Sequence, residues 1–141
     1  MTLQKIQQFV TRPDLGLLFI RVFGGGLLFA HGIKIFMGGS SAMEGTGGAI
    51  AVYGINFGFL FWGILVAAIE SVAGLFIVLG LFTRIAALVA SLVLLTAVIL
   101  KWPGSLAPGA IDQNFGYPLL MLGTLLCIMF EGAGKHAVKK D

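Results

Sequence analysis

The stretch LFIRVFGGGLLFAHGIK, residues 18–34, decides how the chain is read. It is apolar enough to cross a bilayer, yet it carries Arg21, His31 and the three consecutive glycines Gly24 to Gly26. A charged side chain at mid-bilayer costs ~3 kcal/mol even on lenient insertion scales, so it sits there only where a partner or a function holds it. Two questions follow: whether the chain is a membrane protein, and what faces Arg21 and His31.

Composition answers the first. Of 141 residues, 58% are hydrophobic and 11% charged, where a soluble domain carries about 25% charged residues. Mean hydropathy is +1.02. There is too little polar surface to solvate a globule, and an integral membrane protein is expected. The net charge of +3 does not point to nucleic acid, because the cations are dispersed at the ends of apolar runs and form no basic stripe. Cys127 is the single cysteine, which excludes an intramolecular disulfide or a CxxC dithiol. Any redox role would use a bound cofactor or a partner's thiols, and Cys127 itself reads as a small hydrophobe.

A spanning helix needs ~20 mostly apolar residues. Four segments qualify, at about 15–36, 57–82, 85–102 and 115–131. Pro13-Asp14 opens the first, and Pro118 falls in the first turn of the fourth, where proline is tolerated. Arg21 interrupts the first segment and no small-x-small cleavage site follows, so a retained helix is expected rather than a leader. The connection MGGSSAMEGTGGAIAVYGIN (37–56) is rich in Gly and Ser before turning apolar at 49–53. It suits a flexible hinge leading into a short re-entrant or interfacial segment. LGLFTR (79–84) leaves almost no connection, so the second and third helices form an antiparallel hairpin.

The flanks set orientation. Lys5, Arg12, Arg84, Lys135, Lys139 and Lys140 lie on one side, against Lys34 and Lys101, with Glu44 and Asp112, on the other. Six cations against two place both termini in the cytoplasm. Tyr53, Phe57, Phe59, Phe61, Trp62, Trp102, Phe115 and Tyr117 gather near the outer interface. They form either an aromatic belt or the mouth of a site for a planar apolar ligand.

At about 100° per residue, Arg21, Gly24, Gly25, Leu28, His31, Gly32 and Ile35 share roughly one third of the first helix. Gly63, Ala67, Glu70 and Gly74 form a small-residue strip on the second, and such strips let helices approach closely. At a rise of about 1.5 Å per residue, Arg21 lies ~9 Å, Glu70 ~18 Å and His31 ~24 Å from the cytoplasmic end. Glu70 is thus bracketed by two partners. One reading is an Arg21–Glu70 clamp that fixes helix register. The other is a small pocket lined by Arg21, His31 and Glu70 that hydrogen-bonds, or exchanges protons with, the head group of a quinone. Imidazole suits such a relay because its ordinary titration falls near neutrality. In either case Glu70→Gln is expected to strand Arg21, and His31→Ala to be mild. Lys34 and Arg84, at helix ends where snorkelling is the default, are second-rank candidates. No metal site is expected, since His136 lies on the side opposite His31, and haem lacks a matched axial pair.

Together these residues are similar to a known pattern. Arg21, then His31-Gly32-Ile33-Lys34, is followed by ESVAGLFIVLGLFTR, residues 70–84. The second string resembles the E-x-x-x-G-x-x-x-x-x-G-x-x-T-R pattern of the DoxX family, and the resemblance runs over about 15–133. It implies a bacterial four-helix inner-membrane protein, with relatives linked to quinone-reactive thiosulfate oxidation and membrane-associated oxidoreductase complexes. The matching positions are Arg21, His31, Gly32, Lys34, Glu70, Gly74, Gly80 and Arg84.

Three functions are compatible with the residues. One is a quinone-binding membrane component of a redox system. Another is a non-catalytic scaffold or accessory subunit. The third is a small proton-coupled transporter, for which the triple glycine is the only candidate helix break. Beyond the lipid bilayer, expected partners are further copies of the chain or other oxidoreductase subunits, because four helices leave much apolar surface.

Overall fold

The computed structural model describes residues 13–104 and 113–138. Their elements are all helical: α1 (Pro13–Met37), α2 (Gly39–Gly47), a 3-10 helix (Gly48–Tyr53), α3 (Phe59–Leu79), α4 (Thr83–Leu100) and α5 (Gln113–Glu131). Four of them, α1, α3, α4 and α5, are long and apolar enough to span a membrane, as the hydropathy pattern demanded. They run antiparallel, with α1 packed chiefly on α3 and α4 on α5, and with lighter contacts between α3 and α4 and between α1 and α5. One end of the bundle, the hairpin end, holds the α3–α4 turn, and the loop end holds α2 and the 3-10 helix. Lys5, Arg12, Asp112, Lys139 and Lys140, which carry much of the charge asymmetry, lie outside the described residues.

The outer surface is apolar. Phe23, Leu120 and Phe130 are each more than 70% exposed, an arrangement stable only where lipid, not water, meets them. Inside, Leu28, Ile77, Leu94, Leu125 and Ile128 pack with Ala73, Ala86, Ala87 and Ala90. Alanines at these positions let the helix axes draw together, the packing that drives association in lipid. Three hydroxyls within the spans bond back to their own helix: Ser71 to the Ala67 carbonyl, Ser91 to Leu88 and Thr124 to Leu120. No water is then needed to satisfy them.

The glycine seam forms between α1 and α3. A β-carbon on Gly25 would meet the Gly74 carbonyl oxygen at 2.8 Å, and one on Gly74 would meet that of Gly25 at 2.6 Å. Two turns further on, Gly32 lies against the Ser71 and Ala67 backbone. The other two seam residues serve different neighbours. Gly24 faces Thr124 of α5, and Gly63 receives the Met43 backbone of α2.

Helix ends differ from expectation by a few residues, for local reasons. Gly80, at φ +73, ends α3 in a Schellman motif, with Leu81 N–H donating to the Phe76 carbonyl at 2.8 Å and Gly80 N–H to Ile77 at 3.2 Å. Phe82, also left-handed at φ +45, turns the chain directly into α4, so the hairpin needs only residues 80–82. α5 begins at Gln113, which moves Pro118 out of the first turn and removes one rung of the helical ladder. The 37–56 connection is not an open hinge: α2 and the 3-10 helix fold it onto α3, where Gly47 lies against the Phe59 and Gly63 backbone.

Candidate functional site

Arg21 is 1% exposed and serves the hairpin end. Its Nε donates to the Ile77 carbonyl at 3.0 Å, one Nη to Val78 at 3.2 Å, and the other Nη to the Ala133 carbonyl. A helix leaves its last four carbonyls without intrahelical partners. Here Leu81 takes Phe76, Gly80 and Arg21 share Ile77, Arg21 takes Val78, and Val138 N–H takes Leu79 at 3.1 Å. A guanidinium is well suited to this, with a planar fan of donors and a cation's complement to the negative end of the helix dipole. The expected Arg21–Glu70 pair is therefore replaced. Arg21 braces α3 to the segment after α5, and Glu70 is held by another residue.

That residue is His31. Its Nδ1 lies 2.7 Å from Glu70 Oε2, with the glutamate side chain 3% exposed and the imidazole 41%. The close approach of α1 and α3 at Gly32 sets the distance, since Gly32 and Ser71 are the chain neighbours of the two residues. The expected juxtaposition of His31 with Glu70 is present, and Arg21 does not join it.

The pair opens onto a cavity of about 550 Å³. Leu65, Ile69, Val93, Leu94 and Ala97 supply most of its apolar wall, and Tyr117 and Pro118 close it from α5. Its roof is the folded connection, contributing Ala42, Thr46 and Ile50. Tyr53 of the 3-10 helix pins that roof to α4 through a 2.9 Å hydrogen bond between its hydroxyl and Thr96. Trp62 and Lys101 line the cavity toward the loop end.

Lys34 is exposed on α1 and does not line the cavity. Arg84 lies against Gly132 beyond α5, at the hairpin end. Of the outer-interface aromatics, Phe57 and Phe61 face outward, while Phe115 is 1% exposed and packs edge-on to Trp102 at 5.5 Å. Tyr117 belongs to the aromatic set that reads as either a belt or the mouth of a ligand site, and is absent from the expected trio of Arg21, His31 and Glu70. Its ring is tilted against the His31 imidazole with centroids 5.6 Å apart. Its position one residue before Pro118 in a span with few polar groups is the only signal that could have separated it.

Fold and site thus define a class: a multi-pass four-helix membrane protein that holds a histidine–carboxylate pair over an intramembrane cavity. The DoxX family profile matches residues 16–102, and the chain belongs to the DoxX family. It is 33% identical over 118 residues to a Bacillus subtilis (strain 168) protein named "Putative oxidoreductase CatD", covering 82% of this chain and 79% of that one. No solved structure matches the chain.

Proposed function

We propose that the protein is the membrane component of a redox system and that its cavity holds the head group of a quinone. The observation carrying this reading is the His31–Glu70 pair, 2.7 Å apart and opening onto a largely apolar chamber of about 550 Å³. Ligand sites have this form, largely apolar with a few convergent polar groups. Reducing a quinone to its quinol takes two electrons and two protons. The electrons come from a partner oxidoreductase, and the pair is a proton station beside one ring oxygen. Glu70 orients the imidazole through Nδ1 and leaves Nε2 for the ligand. The name of the Bacillus relative is in keeping with such a role. The setting is the bacterial inner membrane, with both termini cytoplasmic.

The test is purification in mild detergent followed by lipid extraction and mass spectrometry. A quinone is expected to co-purify with the wild-type protein and to be lost from His31→Ala. Recovery of stable protein only alongside another subunit, with no bound ligand, would overturn the quinone reading and leave the chain as an accessory scaffold.

A further inference from the structure

The wall that carries His31 and Glu70 contains a third polar group with no work inside the protein. Tyr117 lines the same cavity, and its hydroxyl oxygen is buried with no hydrogen-bond partner among the described residues. A buried donor without a partner forfeits the bonds it would make to water, and native structures seldom leave one so. No polar group lining the chamber hydrogen-bonds it, and several are engaged elsewhere. Thr46 donates to the Ala42 carbonyl, Thr96 is engaged with Leu92 and Tyr53, and Glu70 Oε2 is taken by His31. Pro118, the next residue, has no N–H to offer.

We infer that Tyr117 is a ligand-binding residue, whose O–H donates to an oxygen borne on the ring of the molecule in the cavity. The inference rests on the reading of the cavity given above and deepens it. With the imidazole and the phenol side by side on one wall, their ring centroids 5.6 Å apart, the site recognises a flat ring carrying carbonyl oxygens, not merely a hydrocarbon of that size. A hydrogen bond that a site is built to make is also what rejects an analogue lacking the group. Tyr117 lines, in addition, a groove between α1 and α5 flanked by Phe19, Phe23 and Leu120. The phenol therefore borders both the chamber and this groove.

The experiment compares the full chain with Tyr117→Phe in detergent, using decylubiquinone as the probe and decylbenzene as its acceptor-free counterpart. The variant is expected to bind decylubiquinone about 5-fold more weakly, the equivalent of one neutral hydrogen bond. Its decylbenzene affinity and thermal midpoint should hold. The chain has two tyrosines, so labelling with 3-fluorotyrosine gives two fluorine resonances, assigned with Tyr53→Phe. The Tyr117 resonance should move with decylubiquinone and stay with decylbenzene. Equal decylubiquinone affinity in wild type and variant overturns the inference and spares the cavity reading. A lowered thermal midpoint with unchanged affinity also overturns it, showing a structural hydroxyl. Absence of decylubiquinone binding to the wild-type protein overturns the cavity reading and this inference with it.

Discussion

His31 and Glu70 show how a single contact reorders the expected effect of mutations. With Arg21 satisfied by carbonyls at the hairpin end, Glu70→Gln does not strand it. The amide keeps a hydrogen bond to His31, and a loss of ~1 kcal/mol is expected. His31→Ala is the more severe change, since it leaves a carboxyl that is 3% exposed without its partner, and an unsatisfied buried group costs ~1–3 kcal/mol. Thermal unfolding of the two variants in detergent checks the ranking, which reverses what depth along the helices suggests. The sequence placed Glu70 between two basic side chains and was right about one. Depth bounds which groups can reach each other, but Arg21 had competing acceptors in backbone carbonyls at 77, 78 and 133, and no side-chain pattern reveals those.

Between helices, the glycines divide into those that make room and those that do not. A β-carbon at Gly32 would meet Ser71 N at 2.6 Å and the Ala67 carbonyl at 2.7 Å, and backbone atoms cannot step aside. At Gly26 it would meet nothing within 4 Å. Gly32→Ala is expected to destabilise the bundle by ~1–3 kcal/mol through overpacking. Gly26→Ala should be neutral, or stabilise by up to ~1 kcal/mol through helix propensity. Thermal midpoints of the two variants separate them, and equal midpoints would mean that α1 and α3 do not meet at Gly32. That seam was legible, because small residues recurring two turns apart on two apolar helices have one physical use. The α2 segment was not. GSSAMEGTG is poor in helix formers and looked like a hinge. It becomes helical by packing on α3, where Gly47 and Gly63 allow backbone to touch backbone.

At the scale of the molecule, four spans were legible from hydropathy alone, and orientation rests on lysines and arginines at the chain ends. An alkaline phosphatase fusion to the C-terminus should be inactive and a green fluorescent protein fusion bright, as both termini in the cytoplasm require. The opposite pair of results would invert the bundle. The brace at the hairpin end has a consequence for biosynthesis. Arg21 and the carbonyl of Ala133 are 112 residues apart, so the ribosome delivers the guanidinium long before one of its acceptors exists. The first helix enters the bilayer before that acceptor is made, and the segment after α5 supplies it by folding back over the hairpin. A chain that stops short of Ala133 lacks one of the carbonyls that Arg21 binds.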